Sequence, residues 1–182
     1  MLRKRRDWHR RCNIMNKQII TLILLTLLST SALAQKHMRA EKIPGKSKGP
    51  DISIMVPKDW KVTSRSNGEL HLKDSKGKFA SFYILNRKNR EDEEIFGLSH
   101  ETVSEFRRRM PETTKEWKSG NTNYAVYLFS SRTTRTDRPN TIMSFDVWNS
   151  GYAVLGSRHL PRVVDLLEAQ DWELIARSIK LK

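Results

Sequence analysis

Cysteine is almost missing from this chain of 182 residues: the single one, Cys12, lies near the start. That excludes an internal disulfide framework and a cage of thiolates around zinc, so any folded part must be held by a packed core. Long apolar runs are equally scarce. The strongest, Ile19 to Leu28, is about ten residues, where a membrane-crossing helix needs roughly 20. It follows Lys17, ends in Ser29, Thr30 and Ser31, and is closed by Ala32-Leu33-Ala34. A basic start, a short apolar block and an Ala-x-Ala close make up a cleaved secretory signal. Asn16 to Gln35 therefore predicts export, with residues 1–34 a signal peptide carrying a basic extension and Met15 the simplest true start. Gln35 stands where a lipoprotein would carry cysteine, so a periplasmic or secreted product without stable membrane insertion is expected.

Acidic residues are also in the minority, and the formal charge is +14. Residues 1–34 hold seven of the 34 Lys/Arg and one of the 20 Asp/Glu, which leaves 27 against 19, or +8, for residues 35–182. No nucleic-acid binder follows from a moderate basic excess on an exported domain; a plain soluble surface is the default, and attraction to anionic envelope components or an acidic protein partner is the functional alternative. Residues 35–50 are rich in Lys, Gly, Ser and Pro and predict a flexible basic linker. Gly45-Lys46-Ser47 within it looks like the end of a phosphate loop, but Ala40 stands where that loop requires a second glycine, so the match is accidental.

Residues 51–182 predict a single domain. Ile52, Ile54 and Val56 alternate with Ser53 and Met55, the period of a strand, which Pro57 closes. Lys61 to Arg65 and Glu69 to Lys73 flank Ser66-Asn67-Gly68, where Asn-Gly signals a hairpin because both residues tolerate positive φ. Phe79 to Leu85 continues the meander. The polar run Asn86 to Glu94 leads to a helix over roughly Leu98 to Met110, on the spacing of Val103, Phe106 and Met110. Strands follow around Lys115 to Lys118, Asn123 to Ser130, Thr141 to Trp148 and Tyr152 to Ser157, and a second helix follows Pro161. The order predicts an α+β fold: an antiparallel sheet of about six or seven strands packed with two helices, an α/β/α sandwich.

Two stretches resemble the PsbP/Mog1/DcrB-like family of α/β/α sandwich domains. One is the opening from Ile52 through Pro57 and Trp60 to Val62; the other is the close from Trp172 to Lys180, a helix running into Ser178-Ile179-Lys180. The resemblance implies that fold and a small, mostly non-enzymatic domain that acts by binding proteins. It carries no functional residue with it.

The candidate chemistry is thin. His37, His71, His100 and His159 show no metal-ligand spacing, no nucleophile motif occurs, and Glu91-Asp92-Glu93-Glu94 is expected to precede the helix, where carboxylates complement its dipole. Catalytic, metal and cofactor residues are therefore expected to be none. Arg132, Arg135 and Arg138, interleaved with threonines in one loop, are candidate contacts to an acidic partner, because guanidinium groups fork onto carboxylates. Trp148 and Tyr152, flanking the Asn149-Ser150-Gly151 turn, are candidate aromatic contacts. The reading is an exported, non-enzymatic domain that recognises a protein partner, in its narrower form an immunity-type inhibitor of a toxin. The alternatives are an envelope-polymer hydrolase with two paired carboxylates and a small-ligand carrier with a pocket inside the sandwich.

Overall fold

The computed structural model of the protein describes residues 37–46, 49–109, 114–132, 139–161 and 166–181. Arg39–Lys182 forms one compact unit. The signal peptide and the choice of start residue lie outside the described residues.

Seven strands form one antiparallel sheet in the order β3-β4-β5-β9-β8-β7-β6, and β1 and β2 form a second, two-stranded one. The strands are β1 (Met38–Ile43), β2 (Ile52–Pro57), β3 (Lys61–Ser66), β4 (Glu69–Lys73), β5 (Phe79–Asn86), β6 (Thr114–Ser119), β7 (Thr122–Arg132), β8 (Pro139–Trp148) and β9 (Tyr152–Leu160). Two helices, α1 (Arg90–Arg109) and α2 (Leu166–Ser178), complete the α+β fold predicted from the sequence. The hairpin joining β3 to β4 turns at Gly68, whose φ of 85° is the left-handed conformation that the Asn-Gly pair anticipates.

Strand alternation sends side chains to two faces with different chemistry. On one face Phe82, Phe145 and Val147 are fully buried, together with Leu70 and Leu72. Trp172 of α2 closes this layer, its ring 5.8 Å from Phe82 and 5.2 Å from Phe145. Burying a Trp of this kind contributes about 3–5 kcal/mol against an Ala in its place. The Ser178-Ile179 ending is structural: Ser178 Oγ accepts the Met55 N–H of β2 at 2.9 Å, and the Tyr124 hydroxyl donates to the Ile179 carbonyl at 3.0 Å. Gly156 of β9 pairs with Phe145 of β8, and the Phe145 ring lies where a Cβ at position 156 would have to sit.

The other face receives α1. Phe96 packs with Leu85 and Ala153, Val103 with Ala125 and Tyr127, and Trp148 joins both groups. The spacing 96, 100, 103 places one stripe of the helix on the sheet.

Two expectations change here. The helix begins at Arg90, well before Leu98, so the acidic run lies inside it, with Glu91, Asp92 and Glu93 in the first turn. Asn89 caps it, its Oδ1 accepting the N–H groups of Glu91 and Asp92. Asp92 is buried and anchors the turn, taking the Asn86 N–H on Oδ2 and the Lys46 ammonium on Oδ1 at 2.5 Å. Secondly, Met38–Ile43 forms a strand within the segment expected to be a flexible linker. Ile43 is fully buried, and Glu41 becomes buried by pairing with Arg39 and Arg65. Arg39 reads as solvated tether in sequence, yet together with Arg65 of β3 it neutralises a carboxylate that the strand places inside.

Candidate functional site

The face beneath α1 is not filled by apolar side chains along its whole length. Past the Phe96 cluster it turns polar, and a cavity of about 540 Å³ opens between the helix and strands β4, β5, β9 and β8. Pairing registers Glu69 with Tyr83, Tyr83 with Leu155 and Leu155 with Asp146, so these four form one row across the sheet along the cavity floor. One pair further along, Ser144 faces Ser157. The helix supplies Ile95 and Ser99, four residues apart and hence on one side of α1.

Asp146 is the chemical centre of this cavity. It is 2% exposed, and Ser99 hydrogen-bonds its carboxyl. The other oxygen, Oδ2, has no hydrogen-bond partner among the described residues. Its neighbours across β9 and β7 on the same face are Leu155 and Ala125, which offer no side-chain donor. Burial pushes the carboxyl up to about 7, against the opposing effect of the Ser99 hydrogen bond, because removal from water penalises the charged form. A desolvated acceptor without a partner costs about 1–3 kcal/mol, so this site carries a stored penalty that a donor entering the cavity would relieve.

The other charged side chains at the cavity already have partners. Lys46 at the rim is held by Asp92, and Glu69 lies 3.3 Å from His71 Nε2. Glu69 and Asp146 are the two carboxylates of the cavity, but three strand spacings separate their backbones, about 14 Å. Paired-carboxylate glycoside hydrolysis uses about 5–9.5 Å between carboxyl groups. The side chains of one sheet face stand nearly parallel, so this row holds the pair too far apart for that chemistry.

The residues singled out from the sequence fall elsewhere. Arg132 ends β7 opposite Pro139, while Arg135 and Arg138 lie outside the described residues. Trp148 projects onto the α1 face, where its ring lies 5.9 Å from Phe96 and 5.2 Å from His100. Tyr152 pairs with Asn86 and borders a shallow depression with Lys88 and Lys180. Trp148 pairs with Ala153, next in the chain to Tyr152, so alternation sends the two aromatic rings to opposite faces and the structure does not bring them together. Asp146 is not among the residues that the sequence singles out. Its one sequence signal is an acidic residue in the middle of Ile142-Met143-Ser144-Phe145-Asp146-Val147-Trp148, a strand otherwise fit for burial.

No protein-family model matches the chain, and no curated protein sequence does. A crystal structure from Bacteroides thetaiotaomicron VPI-5482 is similar at a TM-score of 0.43 and 13% identity, over 72% of this chain and 45% of that one. The chain thus spans less than half the length of that protein.

Proposed function

We propose that this chain is an exported, periplasmic or secreted, non-enzymatic binding domain, and that its binding site is the cavity between α1 and the sheet. The observation that carries this reading is the buried, unpartnered oxygen of Asp146 on a cavity wall. Among the sequence-based alternatives, that favours the small-ligand carrier. The spacing of Glu69 and Asp146 speaks against the two-carboxylate hydrolase. A resemblance to PsbP-like sandwich domains is consistent with binding as the activity.

Recognition of an acidic protein is the second reading, with the immunity-type inhibitor as its narrower form. It is favoured by the pairing of β7 with β8 out to Arg132 and Pro139, which puts Arg132 at the end of a long strand pair. The two readings part in a single NMR experiment. Small alcohols, sugars, amines and carboxylates are titrated into the protein, and amide shifts are mapped. Shifts confined to Tyr83, Ser99, Ser144, Asp146 and Leu155 support the cavity, whereas a set of probes that moves none of them overturns it.

A further inference from the structure

Resting on the reading of the cavity as a binding site, we propose that its ligand is a small primary amine. Its ammonium group sits on Asp146, and its apolar part lies against Leu85, Leu155 and Ile95. The need for a donor comes from Asp146 Oδ2, which no described residue satisfies. A ligand hydroxyl would bring one donor; an ammonium brings three together with a full positive charge. At a carboxyl that is 2% exposed, a charged donor is worth about twice a neutral one, because little solvent screens the pair. Ser144 lies two residues along β8 on the same face, opposite Ser157, and their hydroxyls can accept the protons that Asp146 does not.

The electrostatics of the remaining lining point the same way. Lys46 is the cation at the rim, and it is bound to Asp92. Arg158 lies on the far face of the sheet, in a buried pair with Asp74. With Asp146 ionised, Glu69 and Asp146 outnumber Lys46, so an anionic ligand is disfavoured and a cationic one attracted. The apolar half of the ligand is implied by Ile95, 49% exposed at the mouth of the cavity, and by Leu155 on its floor. A bound hydrocarbon segment would cover both.

Binding should also respond to pH. The groups facing this region are Lys46 from the segment after β1, Glu69 and His71 on β4, Tyr83 on β5, Asp92 and His100 on α1, and Tyr127 on β7. An alkylamine stays protonated through pH 8, so the ionisation of Asp146 governs the change and affinity rises between pH 5.5 and pH 8.

The test is calorimetric titration of the protein and its Asp146→Asn variant at pH 8 with n-hexylamine, n-hexanol and glucose. The proposal predicts that hexylamine binds the native protein at least about tenfold more tightly than hexanol. In the variant that preference disappears. Hexanol or glucose binding as well as hexylamine would overturn the amine assignment and leave the cavity standing as a binding site. An amine preference that persists in the variant would overturn it as well. If none of the three probes binds, both the amine assignment and the cavity reading fall. The comparison of probes on the native protein needs no variant, so the outcome does not depend on how Asp146→Asn folds.

Discussion

Replacing Asp146 by Asn should raise the stability of the variant relative to the native protein progressively as pH rises from acid to alkaline. Burial raises this carboxyl from 3.8 to about 7 in the folded state. Between those two values the folded protein retains a proton that the unfolded chain has released. The stability contributed by this group is therefore fully present below pH 3.8 and is lost as pH rises toward 7. A shift of about three units corresponds to about 4 kcal/mol, since each unit is about 1.4 kcal/mol. Asparagine cannot ionise, and the cost of seating its amide beside Ser99 is independent of pH. The difference in unfolding free energy, variant minus native, should therefore grow by about 4 kcal/mol between pH 4 and pH 8. For a domain of this size that amounts to about 10 °C in relative melting temperature. Urea unfolding of both proteins at pH 4, 5, 6, 7 and 8 reads the quantity directly, and taking the difference cancels the titration of every other group. A difference that stays flat across this range would mean that Asp146 titrates as an ordinary surface carboxylate, and the argument from its burial would be wrong.

Two further substitutions probe the framework around the cavity. Gly156→Ala puts a Cβ 2.4 Å from ring carbons of Phe145, which is fully buried against Phe82 and Trp172 and cannot swing away. A loss of about 1–3 kcal/mol in urea unfolding is expected, partly recovered by adding Phe145→Leu. Lys46→Ala removes the ammonium from buried Asp92 and should cost about 1–3 kcal/mol; the double variant with Asp92→Asn should cost less than the sum of the two single changes.

The elements that could be read from the sequence are those whose cause is local. Asn67-Gly68 states its own turn, and the alternation of Ile52 to Val56 states its own strand. What could not be read depends on partners far along the chain. The first turn of α1 looks like polar loop because its anchor, Asp92, is satisfied by Lys46, which is 46 residues away. Strand β1 looks like tether because Glu41 becomes tolerable inside only when Arg39 and Arg65 meet it. The cavity is harder still. Its floor is one row drawn from four strands, and Asp146 gains its unusual chemistry from α1 lying over it and from Leu155 and Ala125 beside it. Arginine and tryptophan stand out in the sequence for what such residues do at interfaces, whereas the cavity that the fold builds is centred on one carboxyl in a strand.

The central claim is that this carboxyl waits, desolvated and unpartnered, for a cationic ligand. The most direct measurement is the NMR titration of the Asp146 side-chain carbonyl carbon, with and without n-hexylamine. The account predicts a midpoint of about 7 in the free protein, moving well down when the amine is bound. A midpoint near the ordinary aspartate value of about 3.9, or one that the amine leaves unmoved, would contradict it.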